Sequence, residues 1–160
     1  MSRTEAGDLL DMVKVKYGSL DEPNYSFVEE VVRDRPYASL VEALSRVAVI
    51  EETTDVNDDV SFRYVVRAGG QSWALNLSMV GPYGLLLRLT SAREVVSDPA
   101  PEGDERQIVR LLEEAGVSLL SREVLETRIP FRPLGEETDQ ATIYQVLISD
   151  EPLLPWVRSA

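Results

Sequence analysis

Large apolar side chains recur at every second position on both sides of a Gly-Gly pair, which is the period of a β-strand with one buried face. The alternating residues are Val60, Phe62, Tyr64 and Val66 before the pair and Trp73, Leu75, Leu77 and Met79 after it. A two-residue turn at Gly69-Gly70 predicts a hairpin in which Val66 lies opposite Trp73, Tyr64 opposite Leu75 and Phe62 opposite Leu77. A shift of one residue would move every one of these side chains to the other face, so the register is strongly specified.

Two further strands extend this hairpin into a predicted meander over residues 47–91. Residues 47–54 read as a strand that precedes it. After it, a turn at residues 81–83 predicts a fourth strand with Met79 opposite Leu85 and Leu77 opposite Leu87. In this register all the large apolar groups share one face.

The remaining segments predict a single α+β domain over residues 1–160. Helical spacing of apolar residues indicates helices within residues 4–46 and 104–128. The helices at 36–46 and 104–116 are expected to cover the face that carries Phe62, Tyr64, Trp73, Leu75, Leu77 and Leu87. Residues 141–149 are apolar at both parities and read as a closing strand, which gives an antiparallel sheet of about five strands. Residues 150–160 form an apolar, proline-containing tail.

The chain contains no histidine and no cysteine, which restricts the catalytic chemistry available to it. A Ser-His-Asp triad, a thiol nucleophile and a cysteine-ligated zinc are excluded, and no phosphate-binding loop or dinucleotide fingerprint is present. Adjacent carboxylates such as Glu51 and Glu52 point to opposite faces of a strand. Residues 55–59 resemble the opening of a calcium loop but lack its glycine and its final glutamate, so a turn is expected there. We therefore predict a protein without catalytic residues, metal or cofactor.

Charge is distributed unevenly along the chain. The net charge is −12, yet residues 61–93 contain four arginines and no acid. On the second face of the meander the predicted register places Arg63 opposite Asn76 and Asn76 opposite Arg88, with Arg67 one step along. Arginine forks converging over a short asparagine could bind a carboxylate or phosphate. Alternatively, these arginines solvate an exposed face or pair with acids from flanking elements.

Together these features favour a non-catalytic acidic protein that binds another protein, with an anion- or small-molecule-binding module as the alternative. Fourteen of the sixteen basic residues are arginine, a bias typical of GC-rich bacterial genomes. The order of elements and the acidity resemble those of small acidic bacterial secretion chaperones and of immunity proteins that neutralise toxins, which implies an inhibitor, immunity or chaperone role. A basic protein is the expected partner and a second copy of the chain an alternative, whereas nucleic acid and membrane are not expected. A cytoplasmic location is expected. Trp156 in the tail either covers the core or anchors a partner.

Overall fold

The structure is a computed structural model that describes residues 3–55, 57, 59–90, 92–99, 101–133, 138–151 and 154–157. Its helices are α1 (Arg3–Tyr17), α2 (Phe27–Asp34), α3 (Ala38–Ser45), α4 (Asp104–Glu114), α5 (Arg122–Glu126) and α6 (Ile143–Leu147). Its strands are β1 (Val49–Glu52), β2 (Ser61–Ala68), β3 (Gln71–Ser78), β4 (Tyr83–Arg88), β5 (Ser118–Leu119), β6 (Arg128–Pro130) and β7 (Gln140–Thr142). The predicted α+β architecture is confirmed.

The main sheet has the strand order β1-β2-β3-β4-β5. Strands β1 to β4 form an antiparallel meander, and β5 pairs with β4 in parallel. Strands β6 and β7 form a small separate hairpin. The sheet is therefore mostly antiparallel, and the described helices precede and follow the meander.

The first hairpin has the predicted register. Val66 lies opposite Trp73, Tyr64 opposite Leu75 and Phe62 opposite Leu77. Gly69 and Gly70 have φ values of 58° and 78°, which residues with a Cβ atom rarely adopt. Two consecutive left-handed residues give the turn that matches the twist of a two-residue hairpin.

The register predicted for the second turn was wrong. Leu77 lies opposite Gly84 rather than Leu87, and Asn76 lies opposite Leu85. Leu85 and Leu87 therefore occupy the face opposite to Trp73, where both are buried. Residues 85, 86 and 87 are all leucine, so either register places a leucine on the Trp73 face. The alternation of apolar residues could therefore not distinguish the two registers. Gly84 also has a packing role that the pattern did not reveal, since a Cβ there would lie 2.9 Å from Cγ1 of Val117, in the turn before β5.

The predicted closing strand over 141–149 was also wrong. Thr142 ends the short strand β7, and its side chain accepts a hydrogen bond from the backbone N–H of Gln145. The Gln145 side chain accepts one in return from the N–H of Thr142, which completes a capping box and starts α6. Every residue of α6 is buried, so the segment lacks the polar stripe that marks a surface helix. The fifth strand of the main sheet is instead β5.

Replacing Thr142 with valine should test this helix start. Valine keeps the β-branched shape but cannot accept the Gln145 N–H, so we expect a loss of about 1–2 kcal/mol in the free energy of unfolding, measured by urea denaturation. Thr127→Val, at an exposed threonine that follows α5, is the control and should change stability by less than about 0.5 kcal/mol. A neutral or stabilising Thr142→Val variant would contradict the cap.

Helices pack on both faces of the main sheet. On the Trp73 face, Tyr37 before α3 contacts Phe62, and Glu105 of α4 bonds to the Trp73 indole. On the other face, Ser61 Oγ donates to the carbonyl oxygen of Ile148, just after α6, at 2.8 Å. The hydroxyl of Tyr17, the last residue of α1, donates to the carbonyl oxygen of Val146 on α6. None of the helices in the described part of the chain has both the length and the apolar character required to cross a bilayer.

Candidate functional site

Arg63, Arg67 and Asn76 lie on one face of the sheet, as predicted, but each has a partner within the chain. Arg63 is opposite Asn76 in the register. Its Nη2 lies 3.0 Å from Oδ1 of the buried Asp59, and Arg67 Nη1 lies 3.3 Å from Oε2 of Glu51. Asn76 is only 6% exposed, and its Nδ2 donates to Ser61 Oγ at 3.1 Å. Asn76 therefore belongs to the packing between the sheet and the segment after α6.

Arg88 lies on the opposite face, so the predicted position of Arg88 opposite Asn76 was wrong. Its register partner is Trp73. Its Nε and Nη2 donate to the two carboxylate oxygens of Glu105 at 2.7 and 2.8 Å, and its Nη1 donates to Glu94 at 3.0 Å. The Trp73 indole N–H also donates to Glu105, at 2.9 Å. Since Arg88 is separated from Arg63 by the sheet, these residues do not form one anion-binding row.

Carboxylates from flanking elements therefore pair with three arginines of the basic segment. This was the alternative that the sequence left open, and the structure shows it for Arg63, Arg67 and Arg88. Asp59 is the most buried of the carboxylates involved. Burial raises its pKa, and the hydrogen bond from the Asp55 backbone and the charge of Arg63 oppose that rise.

Trp156 lies in the core rather than on the surface. It sits in a short 3₁₀ turn over Pro155–Val157 and is 5% exposed. Its ring packs edge-on against Tyr144 at a centroid distance of 5.9 Å, and its indole N–H donates to Glu126 at 2.7 Å. In this conformation the indole is not accessible to a partner. Residues 152, 153 and 158–160 of the predicted tail lie outside the described residues.

A cavity beside α3 is the strongest candidate site, and the sequence did not identify it. We call it the α2–α3 pocket; its volume is about 340 Å³. The residues that line it are Arg35, Tyr37, Ala38, Val41, Glu42, Glu52, Phe62 and Tyr64. They come from the α2–α3 connection, from α3 and from the neighbouring strands β1 and β2. The volume is within the ordinary range of ligand sites, about 300–1,000 Å³.

Aromatic side chains line the base of the α2–α3 pocket. Phe62 and Tyr64 project from the same face of β2, and the ring of Tyr37 packs edge-on against Phe62 at 5.9 Å. The Tyr37 hydroxyl lies 2.6 Å and 3.0 Å from the carbonyl oxygens of Ser78 and Gly81, which anchors the start of α3 to the sheet. Burial raises the pKa of both tyrosines to about 12. Both hydroxyls therefore stay protonated near neutral pH.

An ion pair between Arg35 and Glu52 forms one rim of the pocket. Nη1 and Nη2 of Arg35 lie 2.6 and 3.3 Å from the two carboxylate oxygens of Glu52. The guanidinium carbon is 5.3 Å from the centroid of the Phe62 ring, which is cation–π distance. Arg35 caps α2 in a left-handed backbone conformation, φ 49° and ψ 60°. Such a conformation costs about 1–2 kcal/mol in a residue with a Cβ, so it persists where the surrounding contacts favour it.

Glu42 on α3 contributes a second carboxylate to the lining. It pairs with Arg46 at 3.2 Å, and both side chains are at least 70% exposed. The lining thus contains two carboxylates, and each of them is paired with an arginine, Glu52 with Arg35 and Glu42 with Arg46.

Sequence reasoning missed this site because its residues share no local pattern. Glu52 entered only as one of two adjacent carboxylates, and their predicted divergence is confirmed: Glu51 pairs with Arg67 and Glu52 with Arg35. The expected position of the 36–46 helix over Phe62 and Tyr64 was the one available signal. The left-handed backbone conformation of Arg35 could not be predicted from the sequence, because arginine rarely adopts it.

Two other surface cavities flank β5 and share Ser118, Leu119 and Ser121. Their volumes are about 390 and 500 Å³. Aliphatic and hydroxyl side chains predominate in their linings, with one carboxylate each, Asp8 and Glu113. Among the residues that the structure describes, no three acidic side chains converge closely enough to hold a metal ion.

Comparison with known proteins gives no relative for this chain: no family model matches it, and neither a curated protein nor a solved structure matches it.

Proposed function

We propose that this chain is a non-catalytic binding protein for a basic protein partner, acting in the bacterial cytoplasm as an inhibitor, immunity protein or chaperone. The observation that supports this proposal best is the distribution of ion pairs. Arg63, Arg67 and Arg88 of the basic segment are paired within the chain, whereas a set of exposed carboxylates on α1, α2 and α4 forms no ion pair with another described residue. The basic segment therefore contributes less unpaired positive charge to the surface than its sequence suggests.

Exposed acids are concentrated on three of the longer helices. They are Asp8 and Asp11 on α1, Glu29, Glu30 and Asp34 on α2, and Glu113 and Glu114 on α4. None of them forms an ion pair with another described residue. Unpaired surface charge contributes little to folding, but it raises the rate at which an oppositely charged partner associates.

This proposal predicts a partner whose capture depends on salt. The immobilised full chain, incubated with a lysate of its source organism, should retain a stoichiometric protein with a strongly basic isoelectric point. Raising the salt from about 50 to 500 mM should release it, because the screening length falls from about 14 to 4 Å. Quantitative mass spectrometry of the eluates checks both points. A captured protein that is acidic, or capture unchanged by salt, would contradict the proposal.

Matched charge variants sharpen the test. Replacing Glu29, Glu30, Glu113 and Glu114 with glutamine makes the net charge less negative by four and should weaken capture severalfold. Arg33→Gln with Arg110→Gln alters the same two helices in the opposite direction and should preserve or strengthen capture. All six positions are exposed, so the fold should tolerate both sets. Equal capture by both sets would show that these charges do not guide the partner.

A further inference from the structure

We propose that the outer edge of β5 binds an extended peptide segment of the basic partner, which pairs with β5 as a further strand of the main sheet. This inference rests on the proposed function and names the surface through which that function is exerted. The occupant is a strand that carries apolar and basic side chains and is held by its main chain.

Strand β5 leaves one side of its backbone without a strand partner. It is the last strand in the order of the main sheet, and among the described strands it pairs only with β4. The N–H groups of Ser118 and Leu120 each donate, at 2.9 Å, to a carbonyl oxygen in β4 or next to it. Successive residues of a strand direct their N–H and C=O groups to opposite sides, so those of Leu119 point away from β4. These are the groups with which an added strand would pair.

The two cavities that flank β5 lie on opposite faces of the sheet. The α1-side cavity, about 390 Å³, is lined by Asp8 of α1 and by Tyr83, which has the same parity as Leu85 on the face opposite to Trp73. The α4-side cavity, about 500 Å³, is lined by Glu113 of α4, the helix that packs on the Trp73 face. Successive side chains of an extended strand point to opposite faces, so adjacent residues of one peptide can enter the two cavities.

Charge selects a basic segment for this edge. Among the described lining residues, the charged one is Asp8 in the α1-side cavity and Glu113 in the α4-side cavity. Both are exposed, and neither forms an ion pair with another described residue, unlike the carboxylates of the α2–α3 pocket. A lysine or arginine of the peptide would therefore meet an unpaired carboxylate on either face. A second copy of this chain, with its net charge of −12, would bring further acids instead.

The opposite edge of the sheet is protected against strand addition. Strand β1 carries Glu51 and Glu52 on opposite faces, where they pair with Arg67 and Arg35. Charged side chains are a common means by which natural edge strands prevent pairing with another chain. Aliphatic and hydroxyl side chains predominate beside β5, so the two edges differ in their capacity to accept a peptide.

The test uses the peptide acetyl-Gly-Lys-Val-Leu-Lys-Gly-amide, which in extended form presents one lysine and one apolar residue on each face. It is titrated into the isotope-labelled full chain and followed by amide chemical shifts and hydrogen exchange. We expect saturable shifts at Leu119 and Glu113, slower exchange of the Leu119 N–H, and a dissociation constant of the order of millimolar. The analogue with glutamate in place of both lysines should bind about tenfold more weakly. Shifts confined to other surfaces, or equal binding of the glutamate peptide, would overturn the assignment.

N-methylated peptides distinguish strand pairing from contact through side chains alone. In an extended peptide on one edge, every second N–H faces that edge. Methylating the backbone nitrogen of the valine in one peptide and of the leucine in another should therefore abolish binding of one peptide and leave that of the other. Equal binding by the two methylated peptides would show that the main chain is not recognised, which contradicts an added strand.

Variants of the chain connect the peptide result with the partner. Leu119→Pro removes the outward N–H without removing a hydrogen bond to β4, and should weaken peptide binding about fivefold; Leu119→Val retains this N–H and is the control. Asp8→Asn and Glu113→Gln should each weaken peptide binding about threefold. Glu30→Gln removes the same charge from α2, away from β5, and should leave binding unchanged. Wild-type circular dichroism of each variant establishes that it is folded, and the methylated peptides give the main-chain result without altering the chain.

The outcomes separate the edge assignment from the proposed function. If the captured partner stays bound to Leu119→Pro as tightly as to Leu119→Val, the edge assignment fails while the proposed function stands. If no basic partner is captured, the proposed function fails, and the peptide titration alone decides whether β5 accepts a strand. If protection of the Leu119 N–H rises with protein concentration in the absence of peptide, a second copy is the occupant and the assignment is overturned.

Discussion

Replacing Tyr17 with alanine is expected to lower the free energy of unfolding by about 3–5 kcal/mol, the usual cost of deleting a large aromatic ring from a core. Tyr17 is 1% exposed at the end of α1. Its ring makes edge-on contacts with three others, Tyr25, Phe27 and Phe131, at centroid distances of 4.8 to 5.2 Å. Truncation opens a cavity where α1, the start of α2 and the chain after β6 meet. Urea denaturation monitored by circular dichroism measures the loss.

Tyr17→Phe separates ring packing from hydrogen bonding at this position. The hydroxyl donates to the carbonyl oxygen of Val146 on α6 at 2.5 Å, and burial raises the pKa of Tyr17 well above its ordinary value. Removing the hydroxyl alone should cost about 1–1.5 kcal/mol. If the phenylalanine and alanine variants lose the same amount, the ring contacts do not hold α1 in place and the packing account is wrong.

The residue pairing of the first hairpin could be predicted because two independent sequence signals agree. The Gly-Gly pair fixes the turn, and strict alternation on both sides fixes the face. Helix α1 begins one residue before the predicted helical segment 4–46, and it ends before Gly18, which has φ 77° and whose N–H bonds to the Lys14 carbonyl. Where local geometry and burial impose the same pattern, a single sequence is sufficient.

Segments buried on two sides could not be predicted in the same way. Leu85, Leu86 and Leu87 are all buried, so neither parity is distinguished and the register was misassigned by three residues. The prediction for helix α6 was wrong for the same reason. The helix has no polar stripe, and its start depends on a threonine–glutamine capping box. Burial on all sides removes the periodicity from which secondary structure is inferred.

Neither the failure of the predicted arginine row nor the position of the α2–α3 pocket could be inferred from local sequence patterns. The predicted arginine row required the wrong β3–β4 register, and the corrected register moves Arg88 to the Trp73 face. The α2–α3 pocket combines residues that are up to 29 positions apart, Arg35 and Tyr64, brought together by packing of α3 on the sheet. A site assembled by tertiary packing becomes visible only when the packing is known.

Two carboxylates allow a comparison of a more buried ion pair with a more exposed one. Glu105 and Glu126 each accept hydrogen bonds from one arginine and one tryptophan: Glu105 from Arg88 and Trp73, Glu126 from Arg122 and Trp156. The Glu105 side chain is 12% exposed and that of Glu126 is 37% exposed. Arg88 donates two hydrogen bonds to Glu105 and Arg122 donates one to Glu126, so the two sites differ in solvent access and in the number of hydrogen bonds.

Glu105→Gln should therefore destabilise the protein by about 2–3 kcal/mol and Glu126→Gln by less than about 1 kcal/mol, because a partly buried arginine left without its carboxylate loses a charge-assisted hydrogen bond.

The hydrogen bonds from Arg88 and then Trp73 lower the pKa of Glu105 in the folded protein. The stability that its charge contributes is consequently present above the ordinary carboxyl pKa of 4.5 and is lost as the pH falls through the lowered folded-state value. Denaturation curves at several pH values should show the wild-type advantage over Glu105→Gln shrinking on acidification. Equal destabilisation by the two substitutions would mean that neither burial nor the second hydrogen bond from Arg88 strengthens this pair. An advantage independent of pH would mean that the ionised carboxylate is not its source.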